Sequence, residues 1–453
     1  ALVRAALLVS LLQTAIGAYV RKEAYADEGF FSKFNFFHAQ DPSRGYVEYL
    51  DHDMASSMRL IEARSGHIFM GAAAGGGGSR PLSLRVESKE VYNGGLFVAT
   101  LDHFPTGCGT WPALWMYGED PVHPWPSWGE YDIVEGDHRV TEAMTSLHTT
   151  GGCDQSDVVE GRDFTAQWLQ GTTKRADNCD IHSPGQFENQ GCSQSGPKDS
   201  LGEAFNDRGG GTYAAEWDPD SGYIRTWFWP KGEEPDDLRA KAPRPDFWGT
   251  PYSLFSINPS TCEASHFKNM RIAFSLNFCG DLGSTSWAQG CPNTAALMSC
   301  EEYVGGHPEM MKDAYWSLSV LDVYQKNGLG DAPIVAPRAG KGALQISFLR
   351  VSQRVASIIV MLRGFQVFPG QVAKLHALSP VATALVMAAT ALTGMLALGA
   401  VVRRGTVRSE VAASLQASSP ALYTELSEQP ALAAEGLDPQ EADAESTPMA
   451  SVV

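Results

Sequence analysis

Eight cysteines, at Cys108, Cys153, Cys179, Cys192, Cys262, Cys279, Cys291 and Cys300, constrain this chain of 453 residues more than any other feature. All lie in its middle stretch and none in its last third. An even number with no Cys-x-x-Cys pair argues for disulfides in an oxidising compartment rather than for a zinc site. Up to four bridges are expected, and spacing does not decide their pairing. The folded part of the chain is therefore the part that can bring these eight positions together in pairs.

Both ends support an oxidising location. Residues 1–18 carry one basic residue, Arg4, then an apolar stretch and the small-residue end Ala15-Ile16-Gly17-Ala18. That is the layout of a secretory signal peptide. Near the other end, residues 381–402 form 22 positions without a charge, followed by Arg403, Arg404 and Arg408. A helix of that length crosses a bilayer core of about 30 Å. The expected organisation is a signal peptide (1–18), a large domain (19–330), a juxtamembrane spacer of unassigned structure (331–379), a transmembrane helix (380–402) and a tail (403–453). The tail holds eight Asp or Glu against three Arg and few aromatics, a composition expected to be disordered. The topology this predicts is a single-pass type I membrane protein with the large domain extracellular or lumenal.

Within the large domain, short runs rich in β-branched and aromatic residues (82–87, 95–101, 223–229) alternate with Gly, Pro, Asp and Asn turns. No long amphipathic helix interrupts them, so the expected class is all-β, a sandwich. The glycine run 75–78 reads as a loop insertion, because a phosphate loop would end in Lys and Ser or Thr. The net charge of -18 excludes nucleic acid as partner, since phosphate binding needs a basic surface.

Chemistry is concentrated in Trp128-Gly129-Glu130-Tyr131-Asp132-Ile133-Val134-Glu135-Gly136. On a strand Glu130 and Asp132 share a face, while Glu135 has the opposite parity. A β-bulge at Ile133 or Val134 absorbs one residue and returns Glu135 to that face. Paired carboxyl groups are what glycoside hydrolysis requires, one as nucleophile and one as acid/base, and a third between them raises the pKa of whichever neighbour stays protonated. An isolated match of this kind is more often a solvated charged strand. Here Trp111, Trp115, Trp125, Trp128 and Tyr131 surround the acids, and aromatic faces suit pyranose rings. Trp111, beside Pro112, reads as core.

Three segments, 109–115 (GTWPALW), 129–136 (GEYDIVEG) and 147–149 (LHT), resemble glycoside hydrolase family 16, closest to the fungal laminarinase-like endo-1,3(4)-β-glucanases. Segments 31–51, 211–230, 277–281 (NFCGD) and 314–325 extend the likeness across 29–325. The resemblance implies a β-jelly roll of two curved antiparallel sheets, with a β-glucan lying across the concave face, and a retaining mechanism. Position by position it implies Glu130 as nucleophile, Asp132 as assisting carboxylate and Glu135 as general acid/base. It places Trp115 and His148 beside the cleaved bond, adds Asn35 as a sugar contact, and leaves Trp125 and Trp128 as substrate-binding candidates. No cofactor and no metal are implied. The activity expected is hydrolysis of β-1,3- or mixed β-1,3/1,4-glucan. The alternatives are a membrane-anchored transglycosylase using the same covalent intermediate, and a non-catalytic glucan receptor.

Overall fold

The computed structural model describes residues 19–326. The expected signal peptide, spacer, membrane span and tail lie outside the described residues. Among the described residues, no helix is long and apolar enough to cross a membrane.

Two antiparallel sheets face each other. The first has seven strands in the order Cys192–Ser195, Met144–His148, Glu130–Glu135, Thr110–Tyr117, Arg271–Phe278, Arg85–Ser88 and Phe34–Phe36. The second runs Ser253–Ser256, Tyr223–Pro230, Gly211–Asp218, Gly95–His103, Tyr315–Lys326, His67–Gly71 and Ile61–Arg64, with Tyr19–Tyr25 paired along Tyr315–Lys326. Alternation along each strand sends one set of side chains between the sheets. Tyr131 and Phe274 from the first sheet meet Tyr213, Trp217 and Trp316 from the second in one apolar core. Two polar contacts register the layers: Tyr131 Oη lies 2.6 Å from Thr226 Oγ1, and Trp316 Nε1 donates to the Ser275 carbonyl at 3.1 Å. The all-β sandwich expected from the strand pattern is the architecture found.

One part departs from an all-β reading. After strand Arg271–Phe278 the chain makes helices Gly280–Gly290, Pro292–Ala295 and Cys300–Gly306 at one end of the sheet. The longest of them, Gly-Asp-Leu-Gly-Ser-Thr-Ser-Trp-Ala-Gln-Gly, has no apolar stripe, and of its large side chains only Trp287 is buried. Covalent bonds hold it instead. Cys108 joins Cys291 across 183 residues, and Cys279 joins Cys300. Cys153–Cys262 and Cys179–Cys192 pin the long loop between strands Met144–His148 and Cys192–Ser195. All eight cysteines are thus used.

A disulfide stabilises by removing freedom from the unfolded chain, and more so for longer loops. Paired Cys108→Ser and Cys291→Ser changes are expected to cost about 3–5 kcal/mol, against about 2–3 kcal/mol for the pair Cys179→Ser and Cys192→Ser. Thermal melts of the two variants under non-reducing conditions check the ranking. Equal melting temperatures for both variants and the parent would contradict it.

Candidate active site

Strand Glu130–Glu135 lies between Thr110–Tyr117 and Met144–His148. Opposite Thr110–Tyr117, Asp132 pairs with Trp115 and Val134 with Leu114, which leaves Ile133 as the extra residue of a bulge. The count repeats on the other side, where Asp132 faces Ser146 and Glu135 faces Met144. Three residues therefore oppose two, and Glu135 regains the parity of Glu130 and Asp132. The three acids occupy successive rows of one sheet face: Glu130 between Tyr117 and His148, Asp132 between Trp115 and Ser146, Glu135 between Ala113 and Met144.

That face is the floor of a cleft of about 640 Å³ lined by all three acids, with Trp111, Trp115 and Trp125. Trp115 stacks on Tyr117 with ring centres 4.9 Å apart. Its Nε1 donates to Ser275 Oγ at 3.2 Å, which fixes the ring. Beside them on the same sheet face, buried Arg85 donates from Nε to Glu87 at 2.9 Å, and its guanidinium sits 4.7 Å from the Trp115 ring centre. The rim is tied down at Asp41, whose Oδ2 accepts from Ser43 Oγ (2.6 Å), the Gly45 amide (2.8 Å) and Asn277 Nδ2 (3.0 Å). Gly45 is obligatory there, because a Cβ would stand 1.8 Å from Asn277 Oδ1. Arg44 then reaches Asp281 at 2.5 Å. These bonds give the segment 277–281 its role: it carries the partner of the rim loop, one disulfide cysteine and the partner of Arg44.

Crowding governs the electrostatics. Burial, then the charge of Asp132, pushes the Glu130 carboxyl up to about 8. Glu135 is pushed up to about 8 by the same two causes, and Asp132 to about 7 by burial. Indole donors work against this. Trp125 Nε1 donates to Glu130 Oε2 at 2.7 Å, and Trp111 Nε1 donates to Glu135 Oε1 at 2.7 Å. Asp132 has no such donor. Its Oδ2 lies 3.1 Å from His148 Nε2 without the alignment of a hydrogen bond. Glu130 Oε1 is 4.0 Å from the same nitrogen. Donor atoms of Glu130, Asp132 and His148 come within 4.8 Å of one another. Such a set is compact enough to embrace a cation, yet carboxyls that share protons need the same compactness.

The remaining sequence candidates fall in different places. Trp115 and Trp125 line the cleft with the acids. His148 stands beside the acids on the same sheet face, directly opposite Glu130 in the ladder. The Trp128 ring is packed between His123, 4.4 Å away, and Lys268, 5.2 Å away, so it braces the loop that carries Trp125. Asn35 has the cleft-side parity, through the row Asn35, Glu87, Ala273, Trp115, Asp132, but it is on the edge strand about 19 Å from the acids at the usual strand spacing. It lines a neighbouring groove with Phe36, His38 and His52. Sequence reasoning missed Trp111. Positions 111, 113, 115 and 117 alternate on one strand, so the parity that puts Trp115 in the cleft puts Trp111 there too.

A two-sheet β-sandwich with a bulged strand of carboxylates under an aromatic cleft defines a glycoside hydrolase. The chain belongs to glycoside hydrolase family 16: residues 34–324 match the profile of its XgeA-like catalytic domain. It is 36% identical over 335 residues to an endo-1,3(4)-β-glucanase of Arthroderma benhamiae, covering 72% of this chain and 68% of that protein. A probable glycosidase of Schizosaccharomyces pombe is 38% identical over 314 residues, covering 68% and 69%. Among solved structures, Laminarinase 16A from Phanerochaete chrysosporium with β-glucans in donor and acceptor sites superposes with a TM-score of 0.60 at 30% identity, over 68% of this chain and all of that one. An elongating β-1,3-glucosyltransferase of the same family gives 0.59 at 29% identity, with the same coverage.

Proposed function

We propose that this protein is a retaining endo-β-glucanase acting on β-1,3- or mixed β-1,3/1,4-glucan. The observation that carries this reading is the bulge at Ile133, which brings Glu130, Asp132 and Glu135 onto one cleft face. In this reading a glucan lies across the sheet with a ring over the Trp115 platform. Glu130 attacks the anomeric carbon as the glycosidic bond breaks, and Glu135 protonates the departing oxygen. Glu135 then takes a proton from water, which releases the sugar from Glu130. When ionised, Asp132 places negative charge next to Glu135 and so holds its proton until it is needed. The names of the relatives and the glucan-bound laminarinase support the substrate class.

Retention and chain cleavage are separately measurable. Proton NMR of laminarin digestion is expected to show the β-anomer of the new reducing end first. Initial release of the α-anomer would exclude the covalent route. Product profiles on laminarin, lichenan and cellulose then rank the linkages.

A second reading, transfer of the glycosyl group to another sugar, is favoured by the likeness to the elongating glucosyltransferase. Labelled acceptor oligosaccharides growing longer at high concentration would identify it. The non-catalytic receptor reading sits poorly with a complete acidic triplet, and any turnover removes it. The stretches 1–18 and 381–402 support an anchored protein with its catalytic domain outside the cytosol. Protease protection of membranes carrying the full chain tests that placement.

A further inference from the structure

The two outer carboxylates are held by tryptophans from separate elements. Trp111 is on strand Thr110–Tyr117, and its ring lies under Gly280, where a Cβ would approach its Cζ3 to 2.9 Å. Trp125 is in the loop between that strand and Glu130–Glu135. The loop is closed by the Gly118 amide donating to the Gly129 carbonyl at 3.1 Å and braced by Trp128. Each indole donates to a single oxygen, Glu130 Oε2 and Glu135 Oε1, and the other oxygen of each carboxyl has no hydrogen-bond partner among the described residues. An N–H donor occupies a lone pair, so a proton or a new covalent bond goes preferentially to the free oxygen.

We propose that Trp125 and Trp111 are positioning residues that select the reacting oxygen of each carboxylate, leaving Glu130 Oε1 to bond the anomeric carbon and Glu135 Oε2 to carry the proton. The proposal rests on the roles given to Glu130 and Glu135 above. In the first step Oε1 of Glu130 forms its bond to carbon while the glycosidic C–O bond breaks. The electron pair passes to the leaving oxygen, which takes the proton from Oε2 of Glu135. Negative charge thereby leaves Glu130 and arrives on Glu135. The Trp125 bond is strongest before the reaction and the Trp111 bond strengthens during it, so only the second favours the transition state over the ground state.

The two indoles should accordingly govern opposite limbs of the pH profile. A hydrogen bond to the charged form lowers a carboxyl's pKa, by about one unit per bond. The titratable groups facing Glu130 are Asp132, His148 and Glu135, and those facing Glu135 are Asp132, His148 and Asp137. Asp41, Arg44, Arg85, Glu119 and Asp281 stand farther along the cleft. None of these changes in the two tryptophan variants.

The experiment measures kcat and KM on laminarin against pH for the full chain with Trp125→Phe and with Trp111→Phe, alongside Glu130→Gln and Glu135→Gln. Trp125→Phe is expected to move the acidic limb up by about one pH unit and leave the basic limb in place. Trp111→Phe is expected to move the basic limb up by a similar amount and to lower kcat roughly tenfold with little change in KM. A lower plateau with both limbs unmoved would reduce the indoles to packing residues and overturn the proposal. Should Trp111→Phe not fold, Trp125→Phe alone decides, since its ring is only partly buried and sits in a loop. Full activity in Glu130→Gln or Glu135→Gln would instead overturn the underlying roles.

Discussion

Glu130→Gln is expected to abolish release of reducing sugar from laminarin, lowering kcat at least about 10⁴-fold, because an amide cannot form the glycosyl ester on which the two-step route depends. Full activity in this variant would remove Glu130 from the mechanism. The fold should survive, and stability gives an independent reading of the same side chain. Glu130 titrates in the folded protein at about 8, well above the ordinary carboxylate range, because it is buried beside Asp132. Over that interval the unfolded chain binds fewer protons than the native one, so stability falls as pH rises. The stabilising contribution of protonated Glu130 is complete below its unfolded pKa and is lost as pH climbs through about 8. Glutamine does not titrate. Glu130→Gln should therefore melt higher than the parent at neutral pH, with the gap shrinking toward acid. Thermal melts across pH check this, and a variant less stable than the parent at every pH would mean that the carboxylate is not electrostatically stressed.

Much of this site is legible in the sequence because strand parity is a rigid rule. Glu130 and Asp132 share a face by spacing alone, and the mismatch at Glu135 itself demands the bulge that Ile133 supplies. The same rule read on strand Thr110–Tyr117 places Trp111 beside Trp115. The neighbouring Pro112 suggests core for Trp111, yet strand parity outranks it and the ring donates to Glu135. What parity does not reach is distance across the sheet. Asn35 has the correct face, yet three strands lie between its strand and that of Asp132, and strand order is set by long-range pairing that no local pattern encodes. Trp128 follows a similar logic: in a loop, side-chain direction comes from backbone turns, and the His123 and Lys268 that flank its ring are distant in different degrees along the chain. The helices at 280–306 divide. Gly280–Gly290 is held by the disulfides at its two ends, Cys279–Cys300 and Cys108–Cys291, rather than by an apolar stripe, and the cysteine count leaves pairing open, whereas Cys300–Gly306 opens on a Ser299/Glu302 capping box that the sequence does carry.

Glu135→Ala should produce a different defect from Glu130→Gln, and the contrast assigns the two roles. Without a proton donor the departing sugar oxygen must leave as an alkoxide, so hydrolysis of laminarin is expected to fall by about 10²–10⁴-fold. An activated aryl β-laminarioside needs no such help, because a nitrophenolate leaves unprotonated. Its first step should stay within about tenfold of the parent, and the missing base should then slow attack of water on the intermediate. A burst of nitrophenol followed by a slow phase is the expected trace. Azide is a nucleophile that requires no base and fits where the carboxylate stood. Added to Glu135→Ala it should restore turnover and give the β-glycosyl azide, whereas a nucleophile-deleted protein rescued the same way would give the α-product. Trp111 sharpens the case, since its N–H at 2.7 Å loses its acceptor in Glu135→Ala and is free to bind the azide. Equal loss on laminarin and on the aryl substrate, with no burst and no rescue, would show that Glu135 holds the site together rather than moving its proton.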